Sequence, residues 1–167
     1  MDRILYDARV DRSKDFYFNL NEATHGTKVV LHLHNSVELK FIMNGDYSVT
    51  VSGKQKMCGA GDVVFVNSRC PHSYESVGSS TNYVLIIDQE TFRAVCPKGK
   101  VFPLFTNLRE NFKYVSRILD ETFPKWDEMS LSQKRGFVFR ILGSLLQYSE
   151  LVDEEREEED VAVKIIE

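Results

Sequence analysis

Residues 26–45 read GTKVVLHLHNSVELKFIMNG, and three polar residues inside this apolar run decide the fold. In an extended strand alternate side chains share a face, so His32 and His34 point the same way. Glu38 keeps that parity across the Asn35-Ser36 corner, and Lys40 and Ile42 follow it if residues 38–42 stay extended. Two imidazoles and a carboxylate suit a divalent transition ion, Zn, Ni, Mn or Fe, because their donors are of borderline hardness. A fourth donor has to come from another strand. His72 is the candidate, since the remaining histidine, His25, precedes the opening glycine. A metal-free polar pocket is the competing reading, in which the buried groups pair with one another.

Outward from this stretch the chain continues in short β-rich runs. FYFNL (16–20), VVLHLH (29–34), ELKFIM (38–43), DYSVTV (46–51), DVVFV (62–66) and NYVLIID (82–88) are separated by turn signals at 44–46, 52–54, 59–62 and 77–81. Strands so closely spaced leave no room for crossover helices and predict a sandwich or barrel. After the Pro and Gly cluster at 97–103 the period changes. Leu108, Phe112, Val115, Leu119 and Phe123 recur at helical spacing, and Pro124 is expected to end that helix. Ser130 with Gln133 forms a capping box for a second helix running to about residue 151. Val138, Leu142 and Leu145 line one face of it, and Phe137, Ile141 and Tyr148 a neighbouring one. So wide an apolar surface predicts a second partner, with Gly143 and Ser144 allowing close approach. A helix sunk in a groove of its own domain would read the same way.

The formal charge of −4 is unevenly placed: residues 153–160, DEEREEED, carry seven acids and one Arg and read as a solvated connector. The rest is near neutral, which excludes the concentrated basic face of a nucleic-acid-binding domain. Cys58, Cys70 and Cys96 are odd in number and form no C-x-x-C pair, as expected in a reducing compartment. The N-terminus is charged throughout, and no stretch approaches the ~18 apolar residues of a membrane span. The expected location is the cytoplasm.

The spacing Gly26-x5-His32-x-His34-x3-Glu38-x6-Gly45 resembles the first motif of the cupin superfamily, G-x5-H-x-H-x3-E-x6-G, at every specified position. The second motif, G-x5-P-x-G-x2-H-x3-N, is met at Gly61 and His72, while Asn67, Arg69 and Ser76 replace its proline, second glycine and asparagine. The resemblance implies a mainly β fold: a cupin jelly-roll barrel followed by a pair of α-helices. It implies His32, His34, Glu38 and His72 as ligands of one divalent transition metal. Lys40, Tyr74 and Ile42, which share their parity, are the expected ligand-binding residues. For Lys40 the alternative is a bulge that turns it outward, and for Tyr74 a plain core aromatic.

The order of parts looks like the N-terminal half of an AraC-type transcription regulator, carried by GDVVFVN (61–67) and PHSYES (71–76). That resemblance implies a sensor barrel with an N-terminal arm at 1–104 and a helical dimerisation segment at 105–152. An acidic linker and the start of a missing helix-turn-helix domain would fill 153–167. It implies a small-molecule effector, a homodimer through residues 107–151, and no catalysis. DNA contact would come only from the missing domain, and no membrane contact is expected. The alternative is a stand-alone metal-dependent cupin enzyme, of dioxygenase, isomerase or decarboxylase type, with a metal open to substrate.

Overall fold

The structure is a computed structural model, and it describes residues 4–7 and 16–154. The VAVKIIE helix start, most of the acidic run and much of the N-terminal arm lie outside the described residues. Two five-stranded sheets face one another. The first has the order β1-β3-β8-β5-β6, built from Leu5–Tyr6, Lys28–Leu33, His72–Ser76, Tyr47–Val51 and Lys54–Cys58. The second has the order β11-β7-β4-β9-β2, built from Phe105–Asn107, Asp62–Val66, Val37–Asn44, Ser80–Ile87 and Tyr17–Ala23. Apart from the short parallel pair β1–β3, the pairings are antiparallel. This is the mainly β jelly roll with C-terminal helices expected from the sequence.

The decisive stretch forms β3 and β4. β4 is buried on both faces from Val37 to Ile42, which explains why it reads as a nearly unbroken apolar run. Its odd-numbered residues Val37, Leu39 and Phe41 join a large core on the outer face of the second sheet. Ile42, on the other face, joins a smaller core between the sheets with Tyr47, Val49, Val51, Val64, Val66 and Tyr74. Gly45 closes the turn into β5 at φ +75°, with no room for a side chain: a Cβ there would stand 2.5 Å from the Ser79 carbonyl oxygen.

Among the described residues three α-helices follow: α1 (Gln89–Arg93), α2 (Phe112–Thr122) and α3 (Leu131–Leu146). The helices cover the outer face of the second sheet, where Val115, Ile118, Leu119, Phe137, Val138, Ile141, Leu142 and Leu145 are buried. This corrects the reading of the wide stripe on α3. The residues of that stripe, except Tyr148 at 37% exposure beyond the helix end, are buried inside the chain's own domain, while Leu131 and Phe139 elsewhere on the helix stay exposed. A Cβ at Gly143 would meet open space. Pro124 ends α2 as expected. α2 ends at Thr122, and a 3-10 turn, Phe123–Glu128, runs on with the proline in its first residues, where its missing N–H is not needed.

The capping box at Ser130 and Gln133 is present, with hydrogen bonds of 2.8 and 3.3 Å. α3 ends at Leu146, short of residue 151, because the chain turns back to the barrel. Val152–Asp153 (β12) pairs antiparallel with Lys100–Val101 (β10). Glu154 then receives a two-pronged pair from Arg93 at 2.9 and 3.0 Å and a hydrogen bond from the Asn67 amide at 2.5 Å. Across the expected boundaries, β11 pairs with β7 and the segment 152–154 is strapped across the barrel. Among the described residues no helix is long and apolar enough to cross a membrane.

Candidate metal centre

His32 and His72 lie directly opposite one another in the β3–β8 pairing, next to a register shift between Val29 and His32. His34 follows the end of β3, and its carbonyl accepts the Arg69 N–H at 2.7 Å. Glu38 arrives from β4 in the facing sheet. One donor atom from each of His32, His34, Glu38 and His72 lies within 4.8 Å of the others. All but His32 are fully buried, and His32 is partly exposed.

The hydrogen bonds of the rings determine what this cluster can hold. Each Nδ1 faces a backbone carbonyl: His32 to Val30 at 2.9 Å, His34 to Ser36 at 3.0 Å and His72 to Cys70 at 2.9 Å. A carbonyl only accepts, so each Nδ1 carries the proton, and in a neutral ring the Nε2 lone pair is left free. In the neutral state those lone pairs converge on a carboxylate. His34 Nε2 stands 3.3 Å and His72 Nε2 3.5 Å from Glu38 Oε2. The longer approach is not a hydrogen bond, so His72 Nε2 is a buried nitrogen with no hydrogen-bond partner. Acceptors that converge in this way require a cation among them, either protons on the rings or a metal ion. Three imidazoles with Nδ1 held by a carbonyl, plus one carboxylate, fit a divalent transition ion. The four residues thus form a cluster consistent with a cupin metal site.

Burial alone would raise the Glu38 carboxyl, but the close approach and charge of His34 and His72 hold it well below its ordinary value. Burial, helped by the nearby His72, lowers His32. Tyr74 donates its hydroxyl to Glu38 Oε1 at 2.6 Å, and burial beside that carboxylate raises its phenol well above the usual range.

Lys40 points inward, so the outward-bulge alternative does not hold. It is 4% exposed, with Nζ 4.2 Å from the Tyr74 ring centre and 4.7 Å from that of Tyr47. Burial lowers its ammonium to about 8, opposed by the Glu38 charge. Tyr74 is therefore both core aromatic and part of the site. Ile42 shares the inner face as expected, but lies wholly buried in the apolar cluster below the polar groups.

Sequence reasoning did not single out Tyr47, Asn82, Asn21 and Asn19. Asn82 donates to the Tyr47 hydroxyl at 2.6 Å, Asn21 to Asn82 at 3.4 Å and Asn19 to Asn21 at 2.7 Å, a polar ladder across β2, β9 and β5. The alternation Tyr47, Val49, Val51 against Ser48 and Thr50 was the signal that placed Tyr47 inside. The asparagines carry no comparable pattern.

Residues 20–88 match the family described as the Cupin domain. The match covers less than half of the chain, and together with the two facing sheets it supports a cupin fold. Several solved structures resemble it. An RmlC-like cupin from Shewanella frigidimarina is 20% identical over 47% of this chain and 71% of its own, with a TM-score of 0.42. A predicted oxalate decarboxylase from Thermotoga maritima is 30% identical over 42% of this chain and 64% of its own, with a TM-score of 0.40. Oxalate decarboxylase from Bacillus subtilis, studied for its Mn(II) centres, is 21% identical over 48% of this chain and 23% of its own, with a TM-score of 0.41. No curated protein matches the sequence.

Proposed function

We propose that this chain is the ligand-sensing and dimerising part of an AraC-type transcription regulator, with a small-molecule effector bound inside the cupin barrel. The supporting observation is the shared wall β4. Glu38 and Lys40 face the barrel interior, while Leu39 and Phe41 pack into the core beneath α2 and α3. An effector that displaces β4 therefore shifts the surface on which the helices rest. That differential contact is what a population shift between two helix arrangements requires. Leu131 and Phe139 stand exposed on α3 and are the apolar residues left for a second subunit.

His32, His34, Glu38 and His72 would hold a divalent ion at the floor of the pocket, where it supplies a fixed positive charge for ligand donor atoms. The residues of the chain do the rest. The three backbone carbonyls orient the rings, Tyr74 holds Glu38, and the apolar cluster of Ile42, Val49, Val51, Val64 and Val66 excludes water. On this reading the chain performs no catalysis. A metal-dependent cupin enzyme is the second reading, favoured by the complete set of three histidines and a carboxylate.

Reading the gene beyond codon 167 separates the two. A helix-turn-helix pair is expected there, and a stop codon in its place removes the regulator. The dimer is tested by light scattering: the chain should elute as two copies, and Phe139→Glu should shift it to one. A monomeric wild type counts against the helical interface.

A further inference from the structure

We propose that the barrel ligand is a small carboxylate, and that Lys40 is its counter-ion with the Tyr47 hydroxyl as second donor. This rests on the reading of the barrel interior as the effector pocket and names the chemical class that the pocket takes.

Lys40 is a buried cation without an acceptor. Its ammonium lies between the faces of Tyr47 and Tyr74, which attract positive charge but take no conventional hydrogen bond. No hydrogen bond or ion pair engages it among the described residues. Glu38, the carboxylate whose charge it feels, already uses one oxygen on Tyr74 and turns the other to His34 and His72. Asp62, of the same strand parity as Val64 and Val66, is occupied by the Gly59 N–H and the Asn107 amide. Tyr47 accepts from Asn82, which leaves its own O–H as a donor. The Lys40 ammonium is thus held against the Tyr47 ring without an acceptor of its own, and the Tyr47 O–H is left to donate.

Charge points the same way. Without an ion, Glu38 and Lys40 cancel. A divalent ion on His32, His34, Glu38 and His72 leaves the interior with an excess of two positive charges. The valine and isoleucine walls that close it provide nothing to offset them. An isolated charge is costly in such surroundings, and an anion bound between Lys40 and the metal residues removes part of that excess. A neutral ligand would not.

The test is isothermal titration of the whole chain, loaded with Zn and checked for metal content, against acetate, lactate, pyruvate and succinate. Lactamide and succinamide serve as neutral matches. At least one carboxylate should bind, its amide at least tenfold more weakly. Lys40→Met should lose at least tenfold in carboxylate affinity with metal content unchanged, and Lys40→Arg should retain part of it. If Lys40→Met does not fold, Tyr47→Phe, which keeps the ring and deletes the donor, should lose several-fold. No binding by any of the acids, equal affinity for acid and amide, or unchanged affinity in both Lys40→Met and Tyr47→Phe overturns the proposal. These outcomes are independent of the regulator reading: a stop codon after residue 167 removes the regulator without touching the carboxylate site, and failed titrations leave the regulator standing.

Discussion

Arg69 holds φ at +62°, a left-handed backbone that side chains with a Cβ disfavour. It stands at the place of the glycine in the second motif that this loop resembles, and its left-handed backbone would suit that residue. Arg69→Gly should relieve strain of about 1 kcal/mol, partly offset by a more flexible unfolded chain. Denaturant melts should show a variant no less stable than wild type with metal binding intact, and a loss above about 1 kcal/mol would mean that the Arg69 side chain matters. At the cluster, one divalent ion per chain is expected by elemental analysis after loading. His72→Ala and Glu38→Gln should each weaken it by at least tenfold, because each removes a donor that this set aims at the ion. The thiols differ among themselves: burial pushes Cys58 and Cys96 up to about 11, while Cys70 is partly exposed. At pH 8 a group with that value is only about 0.1% thiolate, so a thiol reagent should modify Cys70 first and the other two only on unfolding. The convergence of His32, His34 and Glu38 was legible from spacing because strand parity fixes which side chains share a face, and His72 was reached as the histidine left over and by the resemblance to the second motif. Tyr47 and the asparagine ladder were not, because their meaning depends on which strands lie side by side.

Strand β6, Lys54–Cys58, shows the limit at the level of elements. Its sequence KQKMC alternates weakly and is exposed up to Cys58, so nothing in it marks a strand. It forms because the tight turn at 52–53 folds it back on Tyr47–Val51. The helices were read better, since Ser130 and Gln133 state their capping roles locally. Their ends were not, because tertiary pairing at β12 takes over where α3 would otherwise continue. Two glycines of nearly equal φ make a test of turn packing. Gly45 is walled in by Ser79 and Ser80, whereas a Cβ at Gly53 meets nothing. Gly53→Ala should cost about 1 kcal/mol from backbone strain alone, and Gly45→Ala distinctly more. Equal losses in denaturant melts would show that the wall at Ser79 yields.

The molecule as a whole has two cores on either side of one sheet, and both hold groups whose protons are retained by burial. Cys58 and Tyr74 lie in the inner core, and Cys96 and Tyr83 in the outer, all with values raised above their ordinary 9 to 10. An acid raised by folding contributes stability that is full below its unfolded value and lost as pH rises through the folded one. Lys40 acts in the opposite sense between about 8 and 10.5, since folding lowers it. With Tyr17, which burial also raises, five groups against one make the balance negative. The melting temperature should therefore hold from pH 7 to about 9 and fall by several degrees toward pH 11, and a flat profile to pH 11 would contradict the burial of these groups. The strap at residues 152–154 has a mechanical consequence. A pull on the chain from residue 155 is borne first by Glu154, and through it by Arg93 on one side and Asn67 on the other. Asn67 opens the short loop that ends at His72, so the strap ties the segment 152–154 to the loop that carries one of the four converging donors.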